Sequence, residues 1–438
     1  MSFPRYPTYK DSGAEWLGQV PEHWHTRRIR WLFEIQKQIA GELGFDVFSI
    51  TQHGIKTRDL ESNEGQLSMD YSKYQLVEVG DFAMNHMDLL TGGVDIALTR
   101  GVTSPDYRVV RLRDQALCHD NYLLSVFQMC YRNHIFYAYG QGSSQLGRWR
   151  LPTDQFKDFL FPLPPKSEQT AIATFLDRET AKIDALVPEQ QRLIELLKEK
   201  RQAIIFHAVT KGLNPNAPMN PSGIEWLGDV PAHWNLQRVK FVSSFITSGP
   251  RGWSERIREE GQLFIQSGDL NDSLQIEFGT AKRVIAEDDA ESSRTRLADG
   301  DVVVCITGAK TGNVAVCAVV PEQAYVNQHL CLVRPNCAVL PAFLAILLKS
   351  RIGQTYFDLS QYGLKQGLSL ENVKEAPVIV PPIPEQTAIV SFLSAETARL
   401  DTLAAEAQRA IDLLQERRTA LISAAVTGQI DVRNHLTQ

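Results

Sequence analysis

The chain repeats itself. Asp11–Trp24 (DSGAEWLGQVPEHW) and Pro221–Trp234 (PSGIEWLGDVPAHW) are identical at ten of fourteen positions, at an offset of 210 residues. Glu168–Thr210 and Glu385–Thr427 match at 25 of 43 positions, at an offset of 217. Solenoid repeats run to about 20–50 residues. A period this much longer describes a whole domain and its connection, written twice in 438 residues. Between the shared blocks, residues 25–160 and 235–377 keep only scattered matches, such as Gly80-Asp81 beside Gly300-Asp301. The frame is kept and its contents have diverged. For a binding protein that means two related modules with different ligands; neutral drift of surface loops is the plain alternative.

The second shared block reads as helix from Glu168 to Ala208. An apolar seam at heptad spacing runs through Ile172, Leu176, Glu179, Ile183, Leu186, Gln190, Leu193, Leu197, Lys200 and Ile204. The second copy gives Ile389, Leu393, Glu396, Leu400, Leu403, Ala407, Ala410, Leu414, Arg417 and Leu421. Each seam carries a glutamate early and a base late. In an antiparallel pair this sets Glu179 near Arg417 and Glu396 near Lys200, fixing direction through charge. The alternative lays each helix on its own domain with the charges at solvated edges. About 40 helical residues span roughly 60 Å. Pro188, where the second copy has Ala405, predicts a kink or a break.

Proline-rich stretches before each helix, Phe161–Pro165 and Val380–Pro384, and the linker Gly212–Pro218 divide the chain. The expected order is a first module over 1–163, a helical segment over 164–214, a second module over 215–380 and a second helical segment over 381–438. Asp301–Ile306, Val314–Val320 and Leu330–Val333 read as strands, as do Tyr107–Leu112 and Leu123–Phe127. Phe343–Leu348 with its flanks reads as helix. Each module is therefore α/β or α+β.

Binding residues are sought in loops. Gly249–Arg258 brings Arg251, Arg256 and Arg258 together with Trp253, and arginine reads guanine edges and grips phosphates. Lys310, Thr311 and Asn313 lie in a glycine-flanked loop between two strands. Ser143, Ser144 and Gln145 lead to Arg148 and Arg150, with Lys365 and Gln366 as their counterpart. Lys56 and Arg58 follow Gly54. For any one of these, an ordinary solvated loop is the competing explanation.

Composition narrows the function by exclusion. A net charge of −6 is not the basic footprint of a free-standing nucleic-acid binder. No apolar stretch approaches the ~20 residues of a membrane span, and no secretory leader follows Met1, so a cytoplasmic protein is expected. The six cysteines form no Cys-x-x-Cys pair; several sit in apolar runs as small hydrophobes. No P-loop, no His-Glu-x-x-His and no Asn/Asp-Pro-Pro-aromatic motif occurs. His23 and His233 recur, but within the block that holds Trp24 and Trp234, where packing is the expected role.

The duplicated Ser-Gly-x-Glu-Trp-Leu-Gly and Pro-x-His-Trp blocks, Pro382-Ile383-Pro384-Glu385-Gln386, and Leu413–Ile430 (LLQERRTALISAAVTGQI) resemble the specificity subunits of type I restriction–modification systems. The resemblance covers nearly all of the chain. It implies two pseudo-repeated target-recognition domains separated by an antiparallel coiled coil. Each domain would read one half of a bipartite double-stranded DNA target, and the helices would set the unread spacer. It implies no catalysis and no cofactor in this chain. Two modification subunits would use S-adenosylmethionine to methylate adenine, and restriction subunits would use ATP and Mg²⁺. A scaffold with two protein-binding modules, or an enzyme with a degenerate site, are the other classes.

Overall fold

The computed structural model describes residues 3–59, 70–142, 149–361 and 367–436, the side chains of 435 and 436 aside. The chain forms two compact units, residues 1–191 with 409–438 and residues 192–408. Both are mixed α/β.

In the first unit the duplicated block opens a short hairpin, Tyr9–Asp11 against Gln19–Pro21. Gly13 and Gly18 turn it at φ of 75° and 64°, as Gly223 and Gly228 do at 75° and 70° in the second unit. Those left-handed values suit glycine, which is why the glycines recur in both copies. One sheet then orders Phe33–Gln36, Arg108–Leu112, Phe82–Met84 and Val94–Ile96. The other orders Gly54–Thr57, Val47–Thr51, Gly101–Thr103 and Gln75–Val77, its middle pair parallel.

The second unit has a sheet of Ser243–Ser248, Leu330–Pro335, Val302–Cys305 and Val314–Val316. Its other sheet holds Gln262–Ile265 parallel to Ala324–Val326. Each first sheet therefore has the same chain order, and each second sheet a parallel pair. One arginine fork on a buried aspartate recurs as well. Arg111 grips Asp81 with two bonds, of 2.7 and 2.9 Å, and Arg334 grips Asp301 at 2.8 and 2.7 Å. The two aspartates belong to the Gly-Asp pairs noted in the sequence. Each is buried and also accepts a backbone N–H three residues upstream, so neither charge lacks partners.

Most of the sequence-predicted elements appear: Arg108–Leu112, Val302–Cys305, Leu330–Pro335, a shorter Val314–Val316, and the helix Pro341–Lys349. Leu123–Phe127 is not a strand. It lies in the helix Asp120–Arg132, whose Leu123, Val126, Phe127 and Cys130 bury one face. A short apolar run carries no period of its own; the helical spacing emerges only over the longer segment. A strand runs into each proline-rich stretch. Leu160–Leu163 pairs with His25–Arg28, and Pro377–Val380 with Asn235–Arg238.

The long helices span Lys166–Lys211 and Ile383–Val426. Pro188 does not break the first one. A proline removes one backbone donor and crowds one carbonyl, and burial of Ile183 and Ile194 on either side holds the remaining turns. Within the first unit, Ile172 and Leu176 share a core with Leu421, Ile422 and Val426. Arg418 reaches Asp184 through two bonds of 2.9 and 3.2 Å. Within the second unit, Ala208 and Val209 share a core with Ile389 and Leu393, and Arg201 lies 3.3 Å from Asp401. In each unit the helical segments run antiparallel.

The seam departs from strict heptads. Leu186, Leu193 and Lys200 are exposed, and Val187, Ile194 and Arg201 replace them on the buried or half-buried edge. In the second helix Leu403 and Arg417 are exposed, while Ala404, Ile411 and Arg418 turn inward. A straight helix drifts by about 20° per heptad, and an eleven-residue step absorbs the drift. Ile183 to Ile194 and Leu400 to Ile411 are such steps. The crossing charges move with it. Glu179 is bonded by Lys182 at 2.7 Å and Arg178 at 3.2 Å rather than by Arg417. Glu396 is held below the usual carboxylate range mainly by its bond from Arg399, with Lys200 a smaller contributor.

Candidate nucleic-acid interface

The arginine-rich loop of the second unit divides into structural and exposed members. Trp253 is 1% exposed, clustered with Phe264, Val284 and Tyr325, and its indole N–H donates to Glu291 at 3.1 Å. It cannot stack on a base, which corrects its assignment as a binding residue. Arg256 lies over the Trp253 ring at 5.3 Å and 3.7 Å from Glu287. The exposed Arg258 turns back onto the carbonyls of Glu255 and Ile257. Arg251 is exposed at the bend, the member best placed to meet a ligand.

The glycine-flanked loop is tied down in the same way. The Lys310 ammonium donates to the carbonyls of Gly268 and Leu270 at 3.1 and 3.2 Å. Asn313 is buried, donating to Leu270 and accepting from Lys349 at 2.6 Å. Thr311 bonds Gly308 within its own turn. These side chains build the wall of a polar cleft that also includes Asp272 and Gln354. Asn313 is committed inside the fold, since buried polar atoms need partners, whereas Lys310 is exposed and keeps a third N–H beyond its two backbone bonds.

In the first unit Lys56 is exposed on the edge strand Gly54–Thr57, not on a loop, and Arg58 follows it half-buried. Arg150 is exposed, its backbone bridged to Gln141. Ser143, Ser144, Gln145, Arg148, Lys365 and Gln366 lie outside the described residues.

The sequence pointed to neither Arg108 nor His86. Arg108 is buried, with its guanidinium 4.3 Å over the Phe156 ring and one nitrogen donating to the Leu151 carbonyl at 3.2 Å. Burial lowers its pKa to about 10. His86 is pushed down to about 3 by burial and by the charges of Arg108 and Arg150. A lone arginine inside an ordinary strand carries no sequence signal.

The recurring histidines do more than pack. Glu168 is buried and takes a bond from Trp24 Nε1 at 3.0 Å, one from His23 Nε2 at 2.8 Å and one from the Tyr6 hydroxyl. Glu385 takes bonds from Trp234 at 3.1 Å and His233 at 2.9 Å. Each glutamate stands in the first turn of a long helix, where the N-terminal dipole favours a negative charge. The duplicated His-Trp and Glu-Gln blocks are thus two halves of one clamp. Among the described residues no group of His, Cys, Asp and Glu could hold a metal ion, and no helix is long and apolar enough to cross a membrane.

Residues 254–411 match the family model of the type I restriction modification DNA specificity domain. Over that segment the chain is similar to the specificity subunits of type I systems. It is 28% identical over 251 residues to the type I restriction enzyme EcoBI specificity subunit of Escherichia coli, covering 55% of this chain and 52% of that one. It is 25% identical over 244 residues to the EcoKI specificity subunit of Escherichia coli strain K12, covering 52% and 48%. The alignments thus span about half the length of these curated relatives. A chain from a structure of type I R-M complex assembly and conformational transition matches with a TM-score of 0.67 at 16% identity, over 93% of this chain and 98% of that one. The HsdS subunit of Thermoanaerobacter tengcongensis matches with a TM-score of 0.58 at 16% identity, over the same shares. At that identity the two structures speak for the fold alone.

Proposed function

We propose that this chain is the sequence-reading subunit of a type I restriction–modification complex and does no chemistry itself. Each module reads one half of a bipartite double-stranded DNA target, and the long helices, as an antiparallel coiled coil, set the unread spacer. Two modification subunits methylate adenine with S-adenosylmethionine, and restriction subunits use ATP and Mg²⁺. The observation that carries this reading is the DNA specificity domain over residues 254–411, in a chain whose two modules share a frame and differ inside it. The net charge of −6 fits a reader whose partner subunits share the phosphate contacts, since charge neutralisation governs most non-specific affinity.

Module boundaries at 1–163 and 215–380, with Lys56, Arg58, Arg150, Arg251 and Arg258 among the candidate contacts, belong to this proposal. Single-molecule methylome sequencing of cells with and without the gene tests it. A bipartite methylated motif should appear only with the gene. The purified chain alone should transfer no methyl group. A methylome unchanged by the gene would overturn the reading.

A further inference from the structure

Each module carries the same exposed patch. In the first, Arg28 lies 3.2 Å from Asp158 and Arg30 bonds the same carboxylate. Trp31, beside them, is 69% exposed. In the second, Arg238 and Lys240 both bond Glu375. Phe241 is 63% exposed, with the Lys240 ammonium 5.1 Å from its ring centre. Arg238, Lys240 and Phe241 stand 210 residues after Arg28, Arg30 and Trp31, and Glu375 stands 217 after Asp158, the offsets of the shared blocks. The patch belongs to the kept frame even though these residues lie inside the diverged stretches.

The construction is local and repeated. The cations come from the end of the strands His25–Arg28 and Asn235–Arg238 and the short helical turns Ile29–Leu32 and Val239–Phe241 that follow. The carboxylates end the helices Thr153–Asp158 and Leu370–Glu375. A shared carboxylate orders two long cationic side chains in advance, so less rotamer freedom is lost when they meet a ligand. A single exposed aromatic needs no explanation. The same aromatic position, with the same two cations and carboxylate, kept in both halves while neighbouring residues changed, does.

The chemistry favours protein over DNA. A carboxylate shared by the two cations already occupies donors that a phosphodiester would need. Duplex DNA offers its base edges in the grooves and not base faces to an aromatic ring. Exposed Trp and Arg are instead the side chains that anchor protein interfaces. Two equivalent patches fit two copies of one partner. We propose that each patch docks one copy of the same partner protein, the ring entering an apolar socket rimmed by acceptor groups that the net positive patch complements. This rests on the proposed function, under which that partner is the modification subunit.

The test co-expresses the full chain with the modification subunit and reads stoichiometry by native mass spectrometry and affinity by titration calorimetry. Wild type should hold two copies. W31S and F241S should each weaken one of the two sites at least tenfold, and the double variant should lose both. R28A/R30A should act like W31S. L98S, at an exposed position outside the patch, should bind as wild type does, and unchanged melting should verify the fold of every variant. Variants that keep both copies at wild-type affinity would overturn the proposal. So would variants that keep the stoichiometry but bind DNA less tightly, which would place the patch on DNA. A wild-type chain that recruits no modification subunit would overturn the proposed function and this occupant with it, before any variant is made.

Discussion

In the first unit burial, and the charges of Arg108 and Arg150, disfavour protonation of His86. Because the folded pKa of His86 is near 3 against an ordinary 6.5, the unfolded chain binds the extra proton first as pH falls. Stability from this site is complete above about pH 6.5 and is lost progressively toward pH 3. Lowering the pH from 7 to 5 should therefore cost about 1–2 kcal/mol through this residue. H86N should flatten that part of the pH profile in thermal denaturation; an equal acid loss in wild type and variant would assign the sensitivity elsewhere. At the arginine-rich loop, W253A should cost about 3–5 kcal/mol as a core truncation, read as a shifted denaturation midpoint. R251A should change stability by no more than about 0.5 kcal/mol, and should weaken DNA binding by the assembled complex. Sequence alone could not separate these neighbours. The loop's composition is what nucleic-acid contacts require, but burial of Trp253 depends on Phe264 and Tyr325, which lie on other strands.

Among the elements, the long helices were the most legible, because periodicity over forty residues leaves little room for another structure. Their seam was legible only to within one position. Heptads and eleven-residue steps coincide for the first turns and part at Leu186 and Val187, where only packing decides. The ion pairs show the same limit. Asp401 stands 217 residues after Asp184, and Arg418 stands 217 after Arg201, so one pair is the duplicate of the other, yet both lie one residue off the seam that the sequence suggested. Exposed pairs are worth about 0.2–1 kcal/mol. A double-mutant cycle on Asp184 and Arg418 should return a coupling in that range, and the swap D184R/R418D should recover most of it. Zero coupling in thermal denaturation would leave the apolar edge alone to fix the register. The short elements were least legible. Leu123–Phe127 read as a strand because so short and largely apolar a run carries no period, and the strands leading into the proline-rich stretches were hidden because their hydrogen-bond partners lie more than a hundred residues away.

For the whole molecule, the internal duplication made the architecture readable before any element was certain. The clamps at Glu168 and Glu385 were visible as recurring blocks, but which block meets which was not. If the helices set the unread spacer, lengthening both should move it. Four residues added after Arg192 and after Arg409, which are equivalent positions and lie opposite one another in the register of Asp184 with Arg418 and Arg201 with Asp401, preserve the pairing and add ~6 Å, nearly two base pairs. The methylated motif should keep both halves and gain about one or two base pairs between them. An unchanged spacer would mean that the partner subunits set the distance. The strand pairing of His25–Arg28 with Leu160–Leu163, and of Asn235–Arg238 with Pro377–Val380, has a genetic consequence. Each module leaves the chain and rejoins it at neighbouring points, like a side branch on a stem. A replacement of different length therefore imposes little loop-closure cost on the stem. Two crossovers, one in the codons of each paired strand, would exchange a module whole, so that, under the proposed function, heredity would trade one half of the recognised sequence and leave the other as it was.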